Sequence, residues 1–103
     1  MPPIKKQSSR GDVHAILAER QKTHGSFTTH AAIAQAIKAV YHAAPGWAKL
    51  DDDMKESLEM IAHKQARLLN GNPDYADNWV DICGYSQLVV NRLEADLGTT
   101  KHR

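Results

Sequence analysis

The sequence predicts an all-α fold, four helices joined by short connections in a bundle-like arrangement. Three observations predict it. Apolar residues recur at three- and four-residue steps along most of the chain. No stretch shows the alternation of β-branched residues between turns that marks strands. Three stop signals, His24-Gly25, Ala44-Pro45-Gly46 and Asn70-Gly71-Asn72-Pro73, divide the periodic stretch into four pieces.

The first helix is expected from Asp12 to Lys22. Asp12 is its N-cap, Val13, Ile16, Leu17 and Arg20 share a face, and Gly25 is the left-handed residue that ends it. The second runs from Thr29 to Ala43, capped by Thr28 or Thr29, with Ile33, Ile37, Val40 and Tyr41 as its stripe. The third runs from Asp52 to Asn70. Asp51 caps it, Asp52 and Asp53 meet the positive end of the helix dipole, and Met54, Leu58, Ile61, Gln65 and Leu68 form its apolar seam. The fourth starts at Asp74 and ends near Leu97, with Tyr75, Trp79, Ile82, Ser86, Val90 and Leu93 on its apolar side. Residues 1–9 read as a disordered arm, 10–97 as one helical domain and 98–103 as a flexible tail.

Composition narrows the classes of function. The chain has 103 residues, 13 Lys+Arg and 12 Asp+Glu. A formal net charge of +1 argues against wrapping a polyanion, so no direct nucleic-acid contact is expected. One cysteine excludes an intrachain disulfide and points to a reducing compartment. The N-terminal Met1-Pro2-Pro3-Ile4-Lys5-Lys6 has no apolar h-region, and no apolar run is long enough to span a membrane. The expectation is a cytoplasmic protein without a membrane partner. Alanine supplies 14 of the 43 hydrophobic residues. Such a thin core predicts a homo-oligomer, dimer or tetramer.

Two polar ridges carry the candidate chemistry. At about 100° per residue, Glu59, His63 and Arg67 fall within about 60° of Glu56 on the third helix, with Lys64 at about 80°. On the fourth, Asp74, Asp77, Asn78 and Asp81 share a face that continues as Gly84, Tyr85 and Leu88. Taken alone, each ridge reads first as a solvated face with i,i+3 and i,i+4 pairs. A mid-helix glycine such as Gly84 suggests close packing by a neighbouring element. Carboxylates one turn apart on two adjoining helices suit a hard cation such as Mg²⁺, and nearby Lys64 and Arg67 suit phosphate oxygens.

The segments Glu56-Ser-Leu-Glu59, Lys64-Gln-Ala-Arg67 and Asp77-Asn-Trp-Val-Asp81-Ile-Cys-Gly-Tyr85, with His24-Gly-Ser-Phe27, resemble a group of small phage and prophage proteins similar to the all-α nucleoside triphosphate pyrophosphohydrolases of the MazG type. The resemblance covers most of residues 12–93. It implies a MazG-type, oligomeric helical fold in a bacterium or phage-infected host. It also implies Mg²⁺-dependent cleavage of an NTP or dNTP to the monophosphate and pyrophosphate. On that reading Glu56, Glu59 and Asp81 are catalytic, and they hold metal together with Asp77 or Asn78. Lys64, Arg67, Tyr85 and His24 then contact the nucleotide. The enzymes carry an E-E-x-x-E motif and an E-x-x-D motif. Here Lys55 precedes Glu56, and Asn78 stands three residues before Asp81, so ligand charge is reduced twice. The alternative is a non-catalytic protein that binds a nucleotide or a host protein on the same scaffold.

The remaining residues read as structural. His24 either caps carbonyls or lines a site. His63 is expected in an ion pair, and His14, His30 and His42 form no evident cluster. Cys83 reads as a small core residue, and Trp47 and Trp79 as core or interface anchors.

Overall fold

The structure, a computed structural model, describes residues 2–98, with side chains from Asp12 onward. The described residues are all-helical: α1 (Pro2–His24), α2 (Phe27–Ala43), a short 3-10 turn (Trp47–Lys49), α3 (Asp52–Asn70) and α4 (Ala76–Leu97). No helix among them is long and apolar enough to cross a membrane. The tail expected over 98–103 lies, beyond Gly98, outside the described residues.

α3 is the central element. It packs against α2 on one side and α4 on the other, while α1 touches α2 and α3. Its bounds match those expected from the sequence. Asp51 occupies the N-cap position but makes no capping hydrogen bond. Its carboxylate instead accepts from Arg92 Nη2 at 2.8 Å. A cap competes with any stronger partner for the same oxygens, and a guanidinium wins. α1 begins at Pro2, well before the expected Asp12. The cap of α2 is Ser26, not Thr28 or Thr29: Ser26 Oγ accepts from the Thr29 backbone N–H at 3.2 Å. α4 starts at Ala76, two residues later than expected. Asn72 Oδ1 accepts from Asp74 N–H at 2.9 Å, which holds residues 72–74 in a turn. The short turn at Trp47 was not foreseen. It stacks the indole on Tyr41 at 5.8 Å and places Lys55 Nζ 6.0 Å over the ring.

The core is small. Among the described residues Ala34, Ala62 and Ala66 are the buried apolar ones, joined by buried His30, Ser57 and Asn78. Alanine permits close approach of helix axes but buries little area. The stripe of α3 is half-buried as expected. That of α1 is not: Val13, Ile16 and Leu17 are all about half-exposed. On α4 the helix turns Asn78, Ile82, Tyr85, Val89 and Arg92 inward. Trp79, Val90 and Leu93 face outward, contrary to the apolar side read from the sequence. Cys83 is exposed, not a core residue. Gly84 has open space where a Cβ would stand, so none of the described residues packs against it.

Three polar ties hold α4 on α3, the first being Lys64 Nζ to Asp81 Oδ2 at 2.9 Å. Ser57 Oγ donates to Tyr85 O at 2.9 Å. At the far end Arg92 binds Asp51, Asp53 and Asp96 at 2.6–2.9 Å. This contact holds the Asp53 carboxyl below its ordinary range.

Candidate functional site

The site begins with a backbone latch. Gly25, at φ 79°, is the left-handed residue expected at the end of α1, and its N–H reaches Gln21 O at 2.8 Å. Asn70, the last residue of α3, donates Nδ2 to His24 O at 2.8 Å and to Ser26 O at 2.9 Å. Asn72 N–H reaches Thr23 O at 2.6 Å. A Cβ on Gly25 would strike Asn70, and one on Gly71 would strike the backbone of Thr23 and His24. The two glycines therefore let two interhelical turns meet backbone to backbone. That contact brings the C-terminal end of α1 against the end of α3 and the start of α4.

A cleft with two chambers opens at this junction. Arg20, His24 and Arg67 line both chambers and form the wall between them. One chamber, about 430 Å³, is mainly apolar and aromatic, with Leu17, Gln21, Gly25, Phe27, His30 and His63. The other, about 280 Å³, is polar, with Glu19, Thr23, Tyr75, Asp77, Asn78 and Asp81.

The electrostatics of the wall are cationic. Among the described residues neither Arg20 nor Arg67 has a carboxylate within ion-pair distance. The acids of the polar chamber are partly neutralised already. Asp81 is bound to Lys64 Nζ at 2.9 Å, and Glu19 lies 3.9 Å from Lys22 Nζ. Two guanidinium groups thus face one uncompensated carboxylate, Asp77.

Three histidines extend the wall into the apolar chamber. His30 Nε2 and His63 Nδ1 are 3.3 Å apart, so one ring donates and the other accepts. Burial, then the charges of His30 and Arg67, pushes the His63 pKa down to about 4. Burial, then Arg67, lowers His24 and His30 as well. All three rings are shifted toward the neutral form. They add hydrogen-bonding edges and ring faces, not charge, to the cleft.

Unsatisfied polar atoms concentrate here. Asn78 is 1% exposed, yet its Nδ2 and Oδ1 have no partner, and the buried Nδ1 atoms of His24 and His30 have none either. Each such group costs about 1–3 kcal/mol until something bonds to it. Three of the four atoms belong to residues that line the cleft's shared wall or its polar chamber.

Of the residues singled out from the sequence, His24, Arg67, Asp77, Asn78 and Asp81 meet in this cleft, and Lys64 joins them through Asp81. Glu56, Glu59 and Tyr85 line neither chamber. Glu56 is exposed. Glu59 turns toward α2, where Oε2 meets His42 Nε2 at 2.7 Å. Tyr85 accepts the Ser57 hydroxyl on its backbone carbonyl. The side chains of α3 that meet the Asn78–Asp81 edge of α4 are the cations Lys64 and Arg67. Among the described residues no group of three His, Cys, Asp or Glu side chains is arranged to hold a metal ion. Of the oxygen donors named for Mg²⁺, Asp77, Asn78 and Asp81 of α4 line the polar chamber, Glu59 of α3 meets His42, and Glu56 is exposed.

Sequence reasoning missed Arg20, Phe27, His30 and Tyr75. His30 and His63 are 33 positions apart in sequence, so only the packing of α2 on α3 reveals them as a pair, and His63 has this ring as its partner in place of the expected ion pair. Arg20 carried a visible signal, a lone cation on the apolar face of the first helix.

The chain belongs to the family described as a domain of unknown function, DUF6378, which it matches over residues 12–92. No curated protein and no solved structure matches it.

Proposed function

We propose that this protein binds a nucleotide in the two-chambered cleft, with phosphate oxygens on Arg20 and Arg67 and the base in the chamber lined by Phe27, His24 and His30. The observation that carries this reading is the position of two uncompensated guanidinium groups in the wall between an aromatic and a polar chamber. Guanidinium binds phosphate in bidentate fashion, and the histidine and phenylalanine faces suit a planar ring. Asn78, with both its donor and its acceptor unused, supplies a polar contact to the ligand. Calorimetry with nucleoside mono-, di- and triphosphates and inorganic triphosphate tests the proposal. Tighter binding of a nucleotide than of triphosphate alone is expected. Absence of binding to all of them overturns it and turns attention to a host protein as partner.

A second reading has the bound NTP or dNTP cleaved to the monophosphate and pyrophosphate with Mg²⁺, as in the MazG-type enzymes the sequence resembles. The observation that favours it is that Asp77, Asn78 and Asp81 share the polar chamber with Arg67. Against it stands the division of the acids, since Glu56 and Glu59 lie outside the cleft. Pyrophosphate release in the presence of Mg²⁺, abolished by Asp81→Asn, supports cleavage. Tight binding without release leaves the non-catalytic reading.

The same proposal has the protein working as a homo-oligomer in the cytoplasm of a bacterium or phage-infected host. The support is the core of three alanines beside large apolar residues left on the surface.

A further inference from the structure

The two chambers of the cleft lie on either side of one cationic wall and differ in chemistry. A ligand that ended at its phosphates would leave the polar chamber unfilled. The acids of that chamber work against further phosphate beyond the wall. Asp77 has no cation within ion-pair distance among the described residues. Glu19 reaches Lys22 Nζ only at 3.9 Å, with both side chains about three-quarters exposed. A terminal phosphate there would meet carboxylates, like charge on like. A hydroxyl bears the opposite relation to the same atoms, since it donates to a carboxylate and both donates to and accepts from an amide.

Asn78 offers both halves of such a contact. It lines this chamber, is 1% exposed, and has both Nδ2 and Oδ1 unbonded. Thr23 donates its hydroxyl to Glu19 O at 3.4 Å, so its oxygen remains free to accept. Tyr75 adds an aromatic ring, held edge-on to His24 at 5.4 Å. A carboxylate, an amide and a hydroxyl beside one aromatic ring suit a polyhydroxylated ring, whose rim is polar and whose C–H face is apolar. Resting on the nucleotide reading above, we propose that the bound nucleotide is a nucleoside diphosphate joined at its distal phosphate to a second sugar. Its base occupies the apolar chamber, its phosphates cross the wall on Arg20 and Arg67, and the outer sugar's hydroxyls reach Asp77 and Asn78. The charges balance at the wall, because each phosphate of such an ester carries one negative charge and each meets one guanidinium. The outer sugar is neutral, so Asp77 faces no anion.

Calorimetry on the full chain tests this, with UDP-glucose, ADP-glucose and GDP-mannose set against the diphosphate and triphosphate of each nucleoside, with and without Mg²⁺. At least one sugar ester is expected to bind about tenfold more tightly than its own diphosphate and triphosphate. Asp77→Asn is expected to reverse that order, so that the triphosphate binds more tightly than the ester. Saturation-transfer NMR on the wild type gives a second readout that needs no variant. Protons of the outer sugar should be saturated by the protein as strongly as those of the base. Should Asp77→Asn lose its helical circular dichroism, the NMR result decides. Absence of binding by every nucleotide overturns the nucleotide reading and the sugar together. Nucleotides that bind with no gain from the outer sugar overturn the sugar alone, as does a triphosphate that binds most tightly with Mg²⁺. An ester preference that survives in folded Asp77→Asn, or an outer sugar left unsaturated, overturns its placement in the polar chamber.

Discussion

Two arginines stand at opposite ends of the α3–α4 pair, in opposite circumstances. Arg92 spends its guanidinium on Asp51, Asp53 and Asp96, all within 2.9 Å. Arg67 has no carboxylate partner among the described residues and stands in the wall of a cleft. The first is a fastening between α3 and α4. The second is a charge held ready, with the buried and unbonded Asn78 beside it in the polar chamber. The contrast teaches that a residue's type does not assign its role here, whereas the state of its partners does.

The sharpest way to break the comparison is to remove the scaffold under one arginine only. Gly25→Ala forces a side chain into a left-handed backbone conformation and against Asn70. It is expected to lower stability by about 2–3 kcal/mol, seen as a fall in denaturation midpoint, and to abolish nucleotide binding. Next comes Arg67→Gln, expected to weaken nucleotide binding by about 2 kcal/mol, roughly thirty-fold, with melting temperature unchanged. Arg92→Gln should do the reverse, lowering melting temperature and sparing affinity. If both variants lose affinity equally, the distinction between fastening and site fails.

A pH titration sharpens the same contrast. His63 has a pKa near 4 in the fold against 6.5 when free. Between those values the unfolded chain binds more protons than the folded one. The stability from a neutral His63 is thus complete above pH 6.5 and lost as pH falls toward 4. The loss is about 1–2 kcal/mol after allowance for solvent screening. Melting temperature should decline over that window, and His63→Gln should flatten the decline. The smallest effect is the most diagnostic. Asn78→Leu removes two unsatisfied buried atoms and should raise stability by about 1 kcal/mol while weakening nucleotide binding. A variant that binds as well as the wild type would make Asn78 a structural residue only.

The helices were legible in the sequence because they depend on local signals. The stop at Asn70-Gly71 and the glycine at position 25 act through their own backbone, and both appear where expected. Burial was less legible. Periodicity identifies an apolar stripe on α4 but not whether it faces this chain or another, and Trp79, Val90 and Leu93 face away. The carboxylate ridge divides for a related reason. Glu59 and Lys64 lie about 140° apart around α3, and α2 claims the first through His42 while α4 claims the second through Asp81. A helix packed on both sides presents each neighbour with its own sector. His24, Arg67 and Asn78 were legible as residues of interest, and their convergence depends on the contact between two turns that no single helix encodes.

That contact has a mechanical consequence. α1 is pinned at its C-terminal end by Asn70 and Asn72, while residues 12–20 are exposed along their whole length. It is a lever with its fulcrum at Gly25. From His24 to Asp12 the arm measures about 18 Å, so a 10° rotation at the fulcrum sweeps Asp12 through about 3 Å. Leu17, Glu19, Arg20 and Gln21 ride on that arm as one side of the cleft. Whatever grips the lever elsewhere along its length also sets the width of the cleft.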